Sequence, residues 1–319
     1  MNNILYVVIP CYNEEEVLHE TSKRLSKKFD ELIEKGSISE KSRIAFVNDG
    51  SADKTWEIIE ALYLTNPRFV GINLSRNKGH QNALLAGLMT VKEKADMVIS
   101  MDADLQDDID AVDEMIEKYQ NGCDIVYGVR SSREKDTKFK KFTAEGFYKL
   151  MNLMGVELVF NHADYRLMSK RALNELEDFK EVNLFLRGIV PLIGFKTDVV
   201  YYERKERFAG ESKYPLRKML NFAVDGITSF SIKPIRLITS LGFIMLIVAI
   251  IALIYSLISK LTGNIVPGWT SLIFSIWIIG AIEMVSIGIV GEYIGKIYME
   301  TKGRPKFIIR EILERDNDE

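Results

Sequence analysis

Short apolar runs recur along the N-terminal part of the chain, each closed by a polar turn and followed by a mixed stretch of helical character. Leu5-Tyr6-Val7-Val8-Ile9 reads as a strand that stops at Pro10. Pro10 to Glu15 reads as a loop, and a charged helix continues to about Glu34. Ile44–Asn48, Phe69–Leu74, Met97–Met101 and Asp124–Val129 repeat the strand pattern. Helices rich in Ala and Leu (Ala83 to Val91), or closing at about Tyr119, lie between them. Farther on, the pattern predicts a helix over Lys138–Met154, a turn from Asn161 into a short strand ending near Met168, and an edge strand over Lys196–Tyr202. Strand alternating with helix predicts a mainly parallel α/β sheet with helices on both faces.

The pattern changes after Pro215. Leu216 to Ser231 mixes Arg217 and Lys218 with Met219, Leu220, Phe222, Ile227 and Phe230, as a helix in a membrane interface does. Leu237 to Ile258 carries no charge and is about 22 residues, enough to cross ~30 Å of hydrocarbon. A second span is expected from Trp269 to about Val290, with Trp269 at the interface. Basic residues flank the pair (Lys296, Lys302, Arg304, Lys306, Arg310), whereas only Lys260 lies in the connection, so both ends are expected on the cytoplasmic side. Glu283 inside a span should face protein or water rather than lipid. Gly291 and Gly295, four apart, suit close packing of a helix pair or an oligomer. The expected organisation is a catalytic domain over 1–214, an interfacial region over 215–236, a two-helix membrane domain over 237–295 and a tail over 296–319, loose from Glu311 onward.

Composition narrows the function. A net charge of −3 argues against a general nucleic-acid binder. Cys11 and Cys123 have no metal-ligand spacing and fit a reducing compartment. The first residues lack the basic start and long apolar core of a signal peptide, which places the N-terminal domain in the cytoplasm. Neither G-x-G-x-x-G nor a P-loop occurs, which weakens dinucleotide and P-loop readings.

Chemistry concentrates on the turns after the strands, where open α/β sheets bind ligands. Asp102, Asp104, Asp107 and Asp108 crowd seven positions after the strand that ends at Met101. Carboxylates this close repel one another unless a cation compensates, and a divalent ion carrying a diphosphate does so. Capping of the next helix by Asp107 or Asp108 is the plainer alternative. Asp49, at the end of its own strand, is a further acidic candidate for the cleft. Tyr12 suits stacking on a base, and Asn13 or Glu14 a ribose hydroxyl, although ordinary loop chemistry accounts for each alone. Arg76 and the helix start after it can face an anion, and His80 reads as a polar helix start, not a metal ligand. Asp164 is either catalytic or a turn cap. Arg207, Ser212, Lys213 and Tyr214 surround the flexible Gly210 and can hold a phosphate, or form a solvated basic loop.

Four ordered motifs, Val8-Ile9-Pro10-Cys11-Tyr12-Asn13-Glu14-Glu15, Val47-Asn48-Asp49-Gly50-Ser51, Asp102-Ala103-Asp104-Leu105-Gln106-Asp107 and Arg207-Phe208-Ala209-Gly210-Glu211-Ser212-Lys213-Tyr214, resemble those of GT-A-fold family 2 glycosyltransferases. Within these the chain is similar to membrane-bound polyprenyl-phosphate glycosyltransferases, which include bactoprenol glucosyltransferases and dolichol-phosphate mannose synthases. Two C-terminal spans match the bactoprenol branch. The resemblance covers nearly the whole chain and implies a GT-A (Rossmann-like) domain followed by an interfacial helix and two transmembrane helices. It implies nucleotide-sugar contacts at Pro10, Tyr12, Glu14, Asp49 and Asp102, and Mg²⁺ or Mn²⁺ ligands at Asp104 and Gln106. Asp164 matches the position of a catalytic base, and Arg207, Ser212, Lys213 and Tyr214 match an acceptor-phosphate loop. Asp108 stands where many relatives have proline, and Lys78 where they often carry an aromatic residue. The implied reaction moves one sugar, inverting its anomeric centre, from UDP-glucose or UDP-N-acetylglucosamine to polyprenyl (undecaprenyl) phosphate at the cytoplasmic face of the cell membrane. The implied partners are the nucleotide sugar, the lipid phosphate, the membrane and further copies of the chain through its transmembrane helices. A mannose synthase using GDP-mannose, a polysaccharide synthase and a nucleotide-sugar-binding scaffold are the alternatives.

Overall fold

The computed structural model describes residues 3–131, 162–181, 185–203, 231, 233–262 and 268–315. The chain divides into two compact units, one holding residues 1–148, 157–215 and 304–319 and the other 149–156 and 216–303.

The first unit is built on one mixed sheet. Its strands are β1 (Leu5–Cys11), β2 (Arg43–Asn48), β3 (Phe69–Leu74), β4 (Met97–Ser100), β5 (Ile125–Arg130), β6 (His162–Ser169), β7 (Thr197–Tyr202) and β8 (Ile309–Leu313). Their order across the sheet is β7-β5-β6-β4-β1-β2-β3-β8. Neighbouring pairs from β4 through β1 and β2 to β3 run parallel. These central strands are buried along their whole length apart from Arg43, as their near-continuous Val, Ile and Leu require when both faces are covered. Successive strands step outward to β2 and β3 on one side of β1 and return to β4 on the other. The crevice at the carboxyl ends of β1 and β4 is therefore the topological switch point, where open sheets take their ligands.

Helix α1 (Leu18–Glu34) buries Leu18, Thr21, Ser22, Leu25, Lys28, Phe29 and Leu32, a stripe at helical spacing. The buried Lys28 ammonium reaches Asp110 Oδ1 at 2.8 Å and also Asp113, which ties α1 to the start of α4 (Ala111–Gln120). Helix α2 (Thr55–Thr65) joins β2 to β3, and α3 (His80–Val91) lies across β1 and β2. A Cβ on Gly87 of α3 would stand 2.4 Å from Val8 Cγ1 and 2.7 Å from Val47 Cγ2. Contact that close lets the start of α3 lie low over the switch point. Two short helices, α5 (Lys170–Glu177) and α6 (Leu186–Ile189), follow β6.

Three sequence expectations change. Strand β1 runs one residue beyond Pro10, which lies past the last β1–β4 pair, Val8 with Ser100. The sheet is mixed rather than mainly parallel, because β6 runs antiparallel to both β4 and β5, and β8 antiparallel to β3. Residues 311–315 are not loose: Ile309–Leu313 closes the edge of β3, Tyr6 Oη donates to Glu314 at 3.1 Å, and Arg315 donates to the carbonyls of Tyr63 and Leu64, while 316–319 lie outside the described residues. The edge position of β7 is as expected. The predicted helix over Lys138–Met154 and interfacial helix over Leu216 to Ser231 fall outside the described residues, except Ser231.

The second unit holds two long helices, α7 (Lys233–Leu261) and α8 (Trp269–Thr301). Among the described residues one stretch, Ile278–Thr301, is long and apolar enough to cross a membrane. On α7, Phe243, Ile244, Ile247, Val248, Ile251 and Ile254 are exposed, an apolar surface far larger than a water-facing helix presents. Glu283 is exposed on α8, and among the described residues no atom beyond the helix's own backbone lies within 4 Å of where a Cβ on Gly291 or Gly295 would stand.

Replacing a helical glycine by alanine ordinarily gains about 1 kcal/mol. At Gly87 two β-branched side chains are in the way, and overpacking of this kind costs about 1–3 kcal/mol. Gly87→Ala is therefore expected to lower the thermal midpoint of the first unit, measured by a thermal-shift assay; a rise would refute the close packing.

Candidate active site

The first wall of the crevice is formed by the turns after β1 and β2, which are laced together. Asn13 adopts a left-handed backbone (φ 55°), which asparagine tolerates better than most residues. Its N–H donates to Ser51 Oγ at 3.0 Å, and its side-chain oxygen accepts from Ala52 N at 2.9 Å. Glu14 N donates to Thr55 Oγ1 at 2.9 Å. These bonds hold Pro10 buried and leave the Tyr12 ring half exposed, available to a flat ligand.

Asp49, buried at the end of β2, accepts from the backbone N–H groups of Lys78 (2.7 Å) and Gly79 (2.9 Å). Burial raises its pKa and the two N–H bonds oppose the shift. Gly50 makes this approach possible, since its φ is +65° and a Cβ there would lie 2.5 Å from Asn77 N. Asp49 thus fastens the turn that starts α3 and sets the position of His80.

The acidic turn after β4 forms the floor. Leu105 takes a left-handed backbone (φ 57°) with its side chain buried, and Gln106 N closes back on Asp104 Oδ1 at 3.1 Å. Thr21 Oγ1 on α1 donates to Ala103 O at 2.9 Å, fixing the turn from below. Desolvation, with the charges of Asp107, Asp164 and Asp104, raises the Asp102 pKa to about 6 against the opposing pull of His80. Asp107 is buried; Tyr202 Oη donates to its Oδ1 at 2.5 Å, and the Arg130 guanidinium stands 3.5 Å from the same oxygen. Its Oδ2 is buried with no hydrogen-bond partner among the described residues.

Asp164 on β6 is the most heavily bonded carboxylate. Arg166 Nη2 reaches Oδ1 at 2.6 Å, Arg187 Nη2 on α6 reaches Oδ2 at 3.1 Å, and Gln81 Nε2 donates to Oδ2 at 3.0 Å. His80 Nε2 lies 3.5 Å from Asp164 Oδ2 and 3.6 Å from Asp102 Oδ1. Burial alone would raise the Asp164 pKa, but Arg187, His80 and Arg166 hold it well below the usual carboxylate range. Desolvation of His80 is likewise outweighed by its two acidic neighbours, and its pKa rises. Asp164 is therefore held in its charged form by the four groups around it.

An all-oxygen set that includes mutually repelling carboxylates and an unpartnered buried carboxylate oxygen has the chemistry of a hard divalent cation's site. Among the described residues no three His, Cys, Asp or Glu side chains converge closely enough to hold an ion by themselves.

The description "Glycosyl transferase family 2" matches residues 6–177, more than half of the chain. The chain belongs to that family. It is 56% identical over 306 residues (96% of this chain, 91% of the relative) to an uncharacterized glycosyltransferase, YkoT, of Bacillus subtilis. It is 42% identical over 311 residues (96% and 98%) to the prophage bactoprenol glucosyl transferase homolog of Escherichia coli. Glucosyl-3-phosphoglycerate synthase from Mycobacterium tuberculosis aligns in structure over 72% of this chain and 79% of its own, at 15% identity and a TM-score of 0.47.

As a family 2 glycosyltransferase, the protein is a transferase whose matched segment spans β1 to α5 and carries the turns bearing Tyr12, Asp49, Asp102 and Asp104. Arg187, Tyr202 and β8 lie beyond that segment. Sequence reading placed Asp102, Asp104 and Asp164 in the cleft of this transferase, and the structure brings His80 between Asp102 and Asp164. It missed Gln81, Arg130, Arg166, Arg187 and Tyr202. Only Arg166 carried a local signal, a second charged residue close to Asp164 in a predicted strand. Arg207, Ser212, Lys213 and Tyr214 lie outside the described residues.

Asp164→Asn leaves Arg166 buried without its counter-ion, a change that typically costs about 3–5 kcal/mol. Because the folded-state pKa is depressed, that contribution is complete above the unfolded carboxylate value of about 3.9 and is lost as pH falls through the lower folded value. The stability gap between wild type and Asp164→Asn is expected to narrow as pH falls below about 4, compared with its size at about pH 5, by denaturant unfolding at a series of pH values. A gap that is independent of pH would show that Asp164 is not held ionised.

Proposed function

We propose that the protein transfers a single sugar, with inversion, from a nucleotide-diphosphate sugar to polyprenyl phosphate at the cytoplasmic face of the cell membrane. The observation that carries this reading is the extent of the likeness to the bactoprenol glucosyl transferase homolog, which covers 96% of this chain and 98% of that one, apolar helices included. The glucosyl transferase named there supports glucose as the sugar and UDP-glucose as the favoured donor, with UDP-N-acetylglucosamine next. The exposed apolar side chains of α7 and the apolar stretch Ile278–Thr301 support two membrane spans. Open space beside Gly291 and Gly295 supports association between copies through α8.

In this reading Tyr12 stacks on the base, while Pro10, Glu14, Asp49 and Asp102 line the rest of the nucleotide-sugar site. Asp104 and Gln106 hold Mg²⁺ or Mn²⁺. When bound, such a cation offsets the negative charge that builds on the departing diphosphate. A lipid phosphate oxygen forms the new bond at the anomeric carbon as the bond to the nucleoside diphosphate breaks on the opposite face. A phosphate monoester has a second pKa of about 6, so this nucleophile needs little help from a base. Asp164 accordingly orients Arg187, Gln81 and His80 around the reacting groups. The anionic acceptor must approach an acidic cleft, and Arg207, Ser212, Lys213 and Tyr214 supply the donors that hold it.

Membranes containing the protein, incubated with undecaprenyl phosphate, Mg²⁺ and a panel of labelled nucleotide sugars, are expected to yield one lipid-linked monosaccharide. Asp104→Ala should reduce the rate by about 100-fold or more, and Arg207→Ala should cut transfer while nucleotide binding persists. A polymeric product, or none from any donor with folded protein, would refute the assignment.

A further inference from the structure

One row of side chains crosses four strands at the carboxyl end of the sheet. Cys11 of β1 is paired with Asn48 of β2, Asn48 with Asn73 of β3, and Asn73 with Glu311 of β8. Asparagine is disfavoured in strands, yet Asn48 and Asn73 are 4% and 5% exposed in the interior of this sheet. Buried amides of this kind must be bonded, and these bonds run in a single direction. Asn73 Nδ2 donates to Glu311 Oε1 at 3.0 Å, and Asn48 Nδ2 donates to Asn73 Oδ1 at 2.9 Å. Ser51 N donates to Asn48 Oδ1 at 3.1 Å, Asn13 N donates to Ser51 Oγ at 3.0 Å, and Ala52 N donates to Asn13 Oδ1 at 2.9 Å.

The direction is fixed from both ends, because Ser51 N–H can only donate and the Glu311 carboxylate accepts. An amide can present either its oxygen or its nitrogen to a neighbour, whereas an ionised carboxylate can only accept. Glu311 therefore obliges Asn73 to turn its NH₂ toward β8 and its oxygen toward β2. Asn48 must then point its NH₂ at Asn73 and its oxygen at Ser51. The result is a turn over 48–52 shaped to hold Asn13 in its left-handed conformation. We infer that Glu311, on the strand that follows the apolar helices, is a positioning residue for donor binding, acting through Asn73, Asn48 and Ser51 on the turns that carry Tyr12, Glu14 and Asp49. This inference rests on the proposed placing of the nucleotide sugar on those turns.

The full-length protein in detergent supplies two separate readouts for Glu311→Ala, Glu311→Gln and a control on the same strand, Arg310→Ala. Hydrogen exchange without ligand reads the relay itself: Glu311→Ala should speed exchange in segments 11–17 and 48–54 while β4 to β7 keep their protection. Donor kinetics read its consequence: KM for the nucleotide sugar should rise about 3- to 10-fold, the scale of one ordinary hydrogen bond, with kcat within about twofold. Glu311→Gln keeps an acceptor oxygen and should restore most of both effects, and Arg310→Ala should show neither. Unchanged exchange and KM in Glu311→Ala, or equal losses in Arg310→Ala, would overturn the relay. Faster exchange in the two turns with unchanged nucleotide affinity would leave the relay standing and overturn the donor placement.

Discussion

Negative charge is gathered at one end of this sheet, and most of the surrounding architecture answers that concentration. Asp102, Asp104 and Asp107 come from the turn after β4 and Asp164 from the adjacent strand β6, and carboxylates brought together out of water cannot all remain ionised without compensation. Each is compensated differently. Asp164 has two guanidinium groups, an amide and an imidazole. Asp107 has a tyrosine hydroxyl and a guanidinium on one oxygen. Asp102 has His80 at 3.6 Å and, among the described residues, the more distant charge of Arg130, and keeps a raised pKa. The charge left least compensated is thus on the turn after β4, beside the crevice. A cation-bearing diphosphate is the complement proposed for it.

The same accounting explains why elements far apart in the chain converge. Arg187 reaches the site because α6 packs against β6, and His80 because Asp49 and Gly50 draw the start of α3 down to the end of β2. Tyr202 ends the edge strand β7 and bonds to the acidic turn of β4. It stands immediately before the segment containing Arg207 to Tyr214, so the turn proposed to hold the donor's diphosphate and the origin of the acceptor loop share a hydrogen bond.

Much of this was legible in local sequence. Strands buried on both faces announce themselves as apolar runs, and the turns that follow are marked by Asp, Gly, Ser and Pro. Asp102, Asp104 and Asp49 could be found because their position at a strand's end is itself the signal. His80 was passed over because nothing in Lys78-Gly79-His80-Gln81 reveals that α3 enters between two carboxylates. Arg187 lies in a short helix with no periodic pattern, and its partner is far away in the chain. Strand β8 was missed for a different reason. Ile308, Ile309, Ile312 and Leu313 are few among charged neighbours, and the pairing that orders them comes from the open edge of β3, not from their own propensity.

That strand also orders events in the life of the polypeptide. Synthesis proceeds from the N-terminus, and domains ordinarily fold as their residues emerge. Here β1 to β7 are complete before α7 and α8 are made, but β3 keeps a bare edge until Ile309–Leu313 exists. Bare edges invite pairing with other chains. The nascent enzyme therefore carries an adhesive, unfinished sheet throughout the interval in which its apolar helices are being translated, and the last piece of the catalytic unit arrives only after them.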